Sequence, residues 1–221
     1  MVVNLNAVKE LLLKELPDAD IKIYDSVGDG NHFEATIVSN KFVNKTNIQR
    51  HKMVYDALGS IVGNEMHALS LDTKTFSENT SNNPNTKNDT LNTIDNIVDD
   101  SNFMHSYNNS TNETSNDVLK KIDEVVKNYP VVLFMKGTKA SPMCGFSSVV
   151  CQILLSLGVE FEDINVLSSE EIRENIKIYS QWATIPQLYI KGVFIGGCDI
   201  VRGMFEDNSL QELLKKHNLL A

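Results

Sequence analysis

An asparagine-rich stretch divides this chain in two and limits the folds that it can adopt. Residues 78–116 contain 12 asparagines among 39 residues, with many serines and threonines and few apolar side chains. Such a composition buries too little apolar surface to offset the entropy lost on ordering. We therefore predict a disordered linker over 78–116, between one block at 1–77 and another at 117–221. An Asn-rich insertion with one helix near 90–98 is the alternative.

Net charge and hydropathy argue against two classes of protein, those that bind nucleic acid and those that span a membrane. The formal net charge of −9 is carried mainly by the linker, so both blocks are nearly neutral. Nucleic-acid-binding proteins usually present a strongly basic face, and we expect no nucleic acid as a partner. No run of about 18 apolar residues predicts a membrane span. The N-terminus has neither the pattern of a secretory signal nor that of a transit peptide, so we expect a cytoplasmic location.

The first block follows the order helix, strand, strand, helix, strand. Apolar spacing predicts a helix that ends before Pro17, strands at 21–24 and 33–38 joined by a tight loop at 28–31, a helix over 47–62 and a strand over 66–71.

The second block alternates helices and strands, as α/β folds do. The pattern predicts a helix at 118–126, a buried strand at 131–135, a loop at 136–143, a helix at 145–157, a strand at 161–166, a helix at 169–179, strands at 187–190 and 193–195, and a helical end that includes 210–216. A cysteine where a loop meets a helix, with a later Thr-Ile-Pro before a strand, is typical of the thioredoxin fold. The whole chain is thus predicted to be a two-domain α/β protein.

Cys144 is the residue on which the predicted chemistry depends. Unpaired backbone N–H groups and the helix dipole favour a negatively charged sulfur at a helix start. Ser147, not a second cysteine, stands three positions on, so no disulfide can form within the motif. Cluster ligation and glutathione-dependent chemistry both remain open. The chain's three cysteines, an odd number, favour free thiols in a reducing compartment over a disulfide framework.

Four stretches of the second block carry a resemblance to a known family. They read FMKGT at 134–138, PMCGFS at 142–147, WATIPQLY at 182–189 and FIGGCD at 194–199. With these motifs, residues 118–217 resemble the monothiol, CGFS-type glutaredoxins. The chain departs from that family's usual pattern at Lys139 and Ala183, where proline is usual, which puts the rigidity of the loop in question.

The resemblance implies a glutathione site and a metal cluster. Cys144 would ligate one iron of a 2Fe-2S cluster, with a second thiolate from bound glutathione. Lys136, Arg173 and Lys177 would meet glutathione carboxylates, Thr184 and Ile185 before a cis Pro186 would pair with its backbone, and Cys198 and Asp199 would bind its γ-glutamyl end.

Several of these side chains have a structural alternative. Glu170 and Glu174 are placed to pair with Arg173 and Lys177 on one helix face. Asp199 would serve equally as a helix cap. Cys198 fits a tight turn, or a regulatory disulfide with Cys144.

Residues 5–73 resemble BolA proteins, whose fold is α+β and related to class II KH domains. The matching stretches are GNHF at 30–33, IVS at 37–39, Phe42, QRHKMVY at 49–55 and MHAL at 66–69. The resemblance implies that His67 ligates a cluster and that the loop at 28–32 supplies a second ligand. His32 is our candidate there, with a plain histidine at a strand start as the alternative. The family's last helix is expected to be short or absent.

Together the two resemblances predict a cluster carrier. A 2Fe-2S cluster needs four protein or thiol ligands, and Cys144 with glutathione supplies two. The others would come from the BolA-like block, in the same or a second chain, or from a symmetric homodimer with a second glutathione. We expect transfer of the cluster to apo iron-sulfur proteins and a role in iron homeostasis. The alternatives are a glutathione-dependent thiol-disulfide oxidoreductase and, less consistent with the charge, a nucleic-acid-binding regulator.

Overall fold

The computed structural model describes residues 3–64, 66, 68–80 and 113–220. These fall into two compact units, which correspond broadly to the two blocks. Most of the predicted linker, including the alternative helix near 90–98, lies outside the described residues. Helical residues are described at both edges of that segment, at 76–80 and from 113 onward.

The first block contains the predicted elements with shifted bounds. They are α1 (Leu5–Glu15), β1 (Asp20–Asp25), β2 (His32–Val38), a 3-10 turn (Asn40–Phe42), α2 (Asn47–Leu58), α3 (Ile61–Asn64), β3 (Ala68–Lys74) and α4 (Phe76–Thr80). The side chain of Asn4 starts α1 by accepting hydrogen bonds from the N–H groups of Asn6 and Ala7. α4 is described as far as Thr80, where the described residues of this block end, so the expected short or absent last helix stays a prediction.

A mixed three-stranded sheet lies at the centre of this block. The strand order is β1-β2-β3. β1 and β2 form the predicted antiparallel hairpin, with Ile23 opposite Ala35. β2 and β3 run parallel, with Ile37 opposite Thr73. The core side chains Phe33, Ile37 and Leu71 are buried, as expected for a sheet with one face covered by helices.

The predicted continuous helix over 47–62 is wrong at its C-terminal end, after Leu58. Thr46 and Gln49 form a capping box that starts α2. Gly59 adopts φ 55° and ends the helix, and its N–H donates to the carbonyl of Tyr55. Because glycine adopts positive φ at little cost, the chain turns there and α3 begins separately.

A buried arginine attaches α4 to the rest of the first block. The guanidinium of Arg50, on α2, binds the Glu78 carboxylate through two hydrogen bonds of 2.7 and 3.0 Å. It also donates to the carbonyls of Thr73 and Lys45. Partial burial raises the pKa of Glu78, but the hydrogen bonds from Arg50 and Thr75 outweigh it and leave the pKa below its ordinary value.

The second block has the predicted thioredoxin architecture. Its elements are α5 (Glu113–Asn128), β4 (Val131–Met135), α6 (Gly145–Ser156), β5 (Glu162–Asn165), a 3-10 turn (Val166–Ser168), α7 (Glu170–Ser180), β6 (Gln187–Ile190), β7 (Val193–Gly196), α8 (Cys198–Glu206) and α9 (Ser209–Lys216). The strand order is β5-β4-β6-β7, with β4 parallel to β5 and antiparallel to β6.

The central strand β4 organises the core of the second block. All five of its residues are buried, which agrees with the apolar run that predicted it. On one face, Val132 and Phe134 pack in a cluster with Ile122 of α5 and Ile176 of α7. The alternate residues of β4 point to the opposite face. Among the described residues, none of the helices is long and apolar enough to cross a membrane.

We expect Glu78→Ala to lower the free energy of unfolding of the first block by roughly 1–3 kcal/mol, because the buried guanidinium of Arg50 would lose its carboxylate partner. Native-state hydrogen exchange of amides in β3 and α4 measures this. Asp72→Ala is the control, since its ion pair with Lys74 is exposed and contributes at most about 1 kcal/mol.

The loss of stability caused by Glu78→Ala should depend on pH. The folded pKa of Glu78 lies below its ordinary value of 4.5. The stabilisation is therefore complete above that ordinary value and is lost as the pH falls through the lower folded pKa. Equal effects of Glu78→Ala and Asp72→Ala at neutral pH would contradict the assignment.

Candidate functional site

Cys144 lies at the N-terminal end of α6, as the sequence predicts. It is the N-cap residue, its backbone is extended (φ −153°, ψ 137°), and its side chain makes no capping hydrogen bond. Its carbonyl accepts a 2.8 Å hydrogen bond from the N–H of Ser148. The thiol is free and half-buried. A ligand can therefore approach a sulfur that lies at the positive end of a helix dipole.

Ser147 has a structural role that was not predicted from the sequence. Its side chain is fully buried, and its Oγ accepts a 3.1 Å hydrogen bond from the N–H of Lys136. Lys136 directly follows β4. The position that holds a second cysteine in a dithiol motif therefore connects the end of this strand to the first turn of α6.

The loop between β4 and α6 folds back on itself. The N–H of Met143 donates to the carbonyl of Lys136 at 2.9 Å, and Thr138 and Ser141 exchange two backbone hydrogen bonds. Gly137 adopts φ 87°, and a Cβ there would lie 2.4 Å from the Ser141 oxygen. This turn therefore requires glycine at position 137.

Two side chains of the neighbouring strand β5 hold this loop. Oδ1 of Asn165 accepts from the N–H of Gly137 at 3.0 Å. Oδ2 of Asp163 accepts from the N–H of Lys139 at 2.9 Å. Both acceptors satisfy backbone donors that would otherwise lack a protein partner. The sequence pattern marked β5 only as a strand, because nothing local links its polar residues to a loop more than twenty positions earlier.

Lys139, where the glutaredoxin pattern has proline, contributes to the same attachment. A proline would have no N–H to donate to Asp163. The Lys139 ammonium also donates to the carbonyl of Phe161 at 3.2 Å and lies 3.7 Å from the Asp163 carboxylate. The expected loss of loop rigidity is therefore offset by polar contacts with β5.

The other two cysteines are buried and poorly ionised. Burial raises the pKa of Cys151, and the charge of Asp163 adds to this effect. Burial likewise raises the pKa of Cys198 to about 12, with smaller contributions from the charges of Asp199 and Cys144. Neither buried thiol is suited to act as a nucleophile near neutral pH.

The predicted cis peptide is present. The bond between Ile185 and Pro186 is cis, and β6 begins at the next residue, Gln187. Thr184 and Ile185 lie in the bend that precedes this bond. The two residues predicted to pair with a ligand backbone, Thr184 and Ile185, thus lie just before the start of β6, an inner strand of the sheet.

The three predicted cationic residues differ in their surroundings. Arg173 lies 3.2 Å from Glu170 and 3.4 Å from Glu174. Lys177 lies 2.8 Å from Glu174. The structural alternative is therefore realised for both residues of α7. Lys136 is half-buried, and within the described part of the chain no carboxylate lies within ion-pair distance of its ammonium.

Asp199 occupies the first turn of α8, and Cys198 is the first residue of that helix. The N-cap residue is Gly197, so Asp199 is not the cap that the alternative proposed. Its carboxylate lies 3.2 Å from Arg202 and is largely buried. A carboxylate in the first turn of a helix is stabilised by the helix dipole.

In the first block, His32 is the first residue of β2. Its Nδ1 lies 2.6 Å from the Asp29 carboxylate, and its side chain is 47% exposed. The loop before it is held by Asp25, which accepts hydrogen bonds from the N–H groups of Val27, Gly28 and Gly30. His67 lies outside the described residues. Within those residues, no group of three or more His, Cys, Asp and Glu side chains is arranged to hold a metal ion.

Both blocks match known protein families. The family model for Glutaredoxin matches residues 131–195, and that for BolA-like protein matches residues 17–78. A probable monothiol glutaredoxin 2 of Rickettsia conorii is 54% identical over 98 residues, which make up 44% of this chain and 92% of that protein. The chain belongs to the monothiol glutaredoxin family, and the predicted fusion with a BolA-like domain is confirmed.

Other relatives come from plants. The chloroplastic monothiol glutaredoxin-S14 of Arabidopsis thaliana is 53% identical over 95 residues, 43% of this chain and 55% of that protein. Among solved structures, reduced poplar apo GrxS14 is 52% identical and covers 44% of this chain and 89% of its own, with a TM-score of 0.41. A buckwheat glutaredoxin-glutathione complex is 27% identical, with a TM-score of 0.46, over 51% of this chain and 100% of its own.

We expect iodoacetamide to alkylate Cys144 selectively in the folded protein at neutral pH. The reason is that Cys151 and Cys198 are buried and their pKa values are raised. Peptide mass mapping measures the label at each site, and the denatured chain serves as a control in which all three cysteines should react. Labelling of Cys198 as fast as Cys144 would show that the buried thiol is accessible.

Proposed function

We propose that this protein binds a 2Fe-2S cluster together with glutathione and passes it to apo iron-sulfur proteins. The observation that carries the proposal is a single half-buried thiol at a helix start, while the Ser147 hydroxyl, three positions further on, accepts a hydrogen bond from the backbone. A thiol in this position is free to serve as a metal ligand. No second thiol within the motif competes for it by forming a disulfide.

Glutathione is proposed as the source of a second thiolate. It is an anionic tripeptide, and Lys136 offers an ammonium group without an ion pair among the described residues to meet one carboxylate. Arg173 and Lys177 would offer further positive charge. The segment of Thr184 and Ile185 before the cis Pro186 would pair with the peptide backbone of the ligand.

The γ-glutamyl end of glutathione carries an ammonium and a carboxylate. Asp199 would accept from the ammonium, and the first backbone N–H groups of α8, which have no partner within the helix itself, would bind the carboxylate. The backbone of Cys198 belongs to the same turn. This assignment rests on the family resemblance, and the burial of the Asp199 carboxylate supports it.

Two further ligands are proposed to come from the BolA-like block. A histidine that ligates metal usually donates its other ring N–H to a carboxylate or carbonyl. His32 has this arrangement, because Nδ1 contacts Asp29 at 2.6 Å and Nε2 would remain to bind iron. His67 enters through the resemblance alone. The ligands would come from the same chain or a second chain, and a homodimer with two glutathiones is the competing arrangement.

A glutathione-dependent oxidoreductase is the second candidate function. The accessible Cys144 thiol favours it, since a thiolate can attack the sulfur of a mixed disulfide and release the other thiol. A second glutathione would then have to regenerate Cys144, because the raised pKa of Cys198 makes that residue a poor resolving thiol. A carrier role requires none of these exchange steps.

Anaerobic reconstitution with iron, sulfide and glutathione tests the proposal. We expect the wild type to develop the visible absorption of a 2Fe-2S cluster and Cys144→Ser to lose it. His67→Ala and His32→Ala should change the spectrum, whereas the control His217→Ala should not. Circular dichroism confirms that each variant is folded.

Each outcome has a separate meaning. Full cluster binding by Cys144→Ser would refute the central assignment. An unchanged spectrum in both His67→Ala and His32→Ala would refute the mixed ligand set and leave the homodimer. Turnover of a glutathione mixed disulfide without any cluster formation would favour the oxidoreductase.

A further inference from the structure

One carboxylate oxygen on α7 is shared by two cationic side chains. Oε1 of Glu174 lies 2.8 Å from Nζ of Lys177 and 3.4 Å from Nε of Arg173. These are two of the three cations proposed to bind glutathione. A carboxylate of the protein itself therefore already contacts the groups that would receive a carboxylate of the ligand.

The pairing is made of contacts that a ligand can displace. Glu174 is about half exposed, and Lys177 and Arg173 remain 25% and 38% exposed. Ion pairs with this exposure are weak, since water and salt screen them. An incoming carboxylate can thus replace Glu174, at the cost of breaking its two contacts.

Glu174 remains charged and available to compete at neutral pH. Its partial burial raises its pKa, but hydrogen bonds and charge from Lys177 and Arg173 outweigh this and place the pKa below its ordinary value. By contrast, Lys136 has no carboxylate partner among the described residues. Among the described residues, the three cations of the proposed site therefore differ in their ion pairs. Lys136 has none, whereas Arg173 and Lys177 already contact carboxylates of the protein.

We propose that Glu174 is a resident competitor that lowers the affinity of this site for the glycyl carboxylate of glutathione. The inference rests on the proposed glutathione site. The glycyl end is singled out because the γ-glutamyl end is assigned to Cys198 and Asp199. A ligand without this carboxylate need not displace Glu174, so the penalty applies only to ligands that carry it.

Calorimetric titration of the full-length protein with glutathione tests the proposal. Glu174→Gln keeps the size of the side chain and removes the competing charge. We expect it to bind glutathione about three- to fivefold more tightly than the wild type, the range that corresponds to a weak surface ion pair.

Glu171→Gln is the matched control. Glu171 is exposed on the same helix and belongs to none of its ion pairs in the described structure. Its substitution removes the same unit of charge, so it reports the general electrostatic effect. We expect its affinity to stay within about twofold of the wild type.

A second ligand identifies the group for which Glu174 competes. Glutathione esterified at the glycyl carboxylate keeps the thiol and the γ-glutamyl end. Glu174→Gln should give no gain in affinity for this ester. A gain that persists with the ester would overturn the proposal, as would equal effects of Glu174→Gln and Glu171→Gln with glutathione itself.

The remaining outcomes separate the inference from the function on which it rests. Weaker binding of glutathione by Glu174→Gln would show that Glu174 orients the two cations, and would overturn the inference alone. Absence of glutathione binding in the wild type and in every variant would refute the glutathione site, and the inference would fall with it.

Discussion

The hydrogen bonds from β5 to the loop before Cys144 are the contacts on which the proposed chemistry depends. This loop leaves a buried strand, reverses direction and starts a helix within a few residues, so its backbone donors cannot all be paired internally. Asn165 and Asp163 accept two of them, and Ser147 accepts a third. Since N–H groups shielded from water are costly to leave unpaired, the partly buried bonds to Asn165 and Ser147, together with the exposed bond to Asp163, fix where the loop ends and where the Cys144 sulfur lies.

This arrangement leaves one thiol available for chemistry. Ser147 is engaged with the backbone, and Cys151 and Cys198 are buried with raised pKa values. One thiolate is a quarter of the ligands that a 2Fe-2S cluster needs. For the proposed cluster, the remaining ligands would come from a small thiol and from another protein surface. The fusion to a BolA-like domain is consistent with that requirement.

Local sequence signals predicted most of the fold. The apolar run of β4 and the helix start at Cys144 depend on near neighbours, and the cis bond before Pro186 was implied by the resemblance to the glutaredoxins. The break at Gly59 was missed, because the helical apolar spacing continues across it and the positive φ decides the outcome.

Contacts between distant residues were not predictable in this way. Three hydrogen bonds join elements that meet only in the folded chain. They connect Lys139 with Asp163, Arg50 with Glu78, and Lys136 with Ser147. The pairing of Arg173 and Lys177 with glutamates could be stated as an alternative, since these residues share one helix face. Sequence spacing alone did not decide whether ligand or protein carboxylates occupy them.

The ratio of glutathione to iron in the reconstituted, desalted protein tests the central claim most directly. Acid releases both components, so that each is counted in the same sample. The proposed ligand set predicts about one glutathione for every two iron atoms, with none retained by Cys144→Ser, and the homodimer predicts about two. A 2Fe-2S cluster that stays bound with no glutathione would contradict the account.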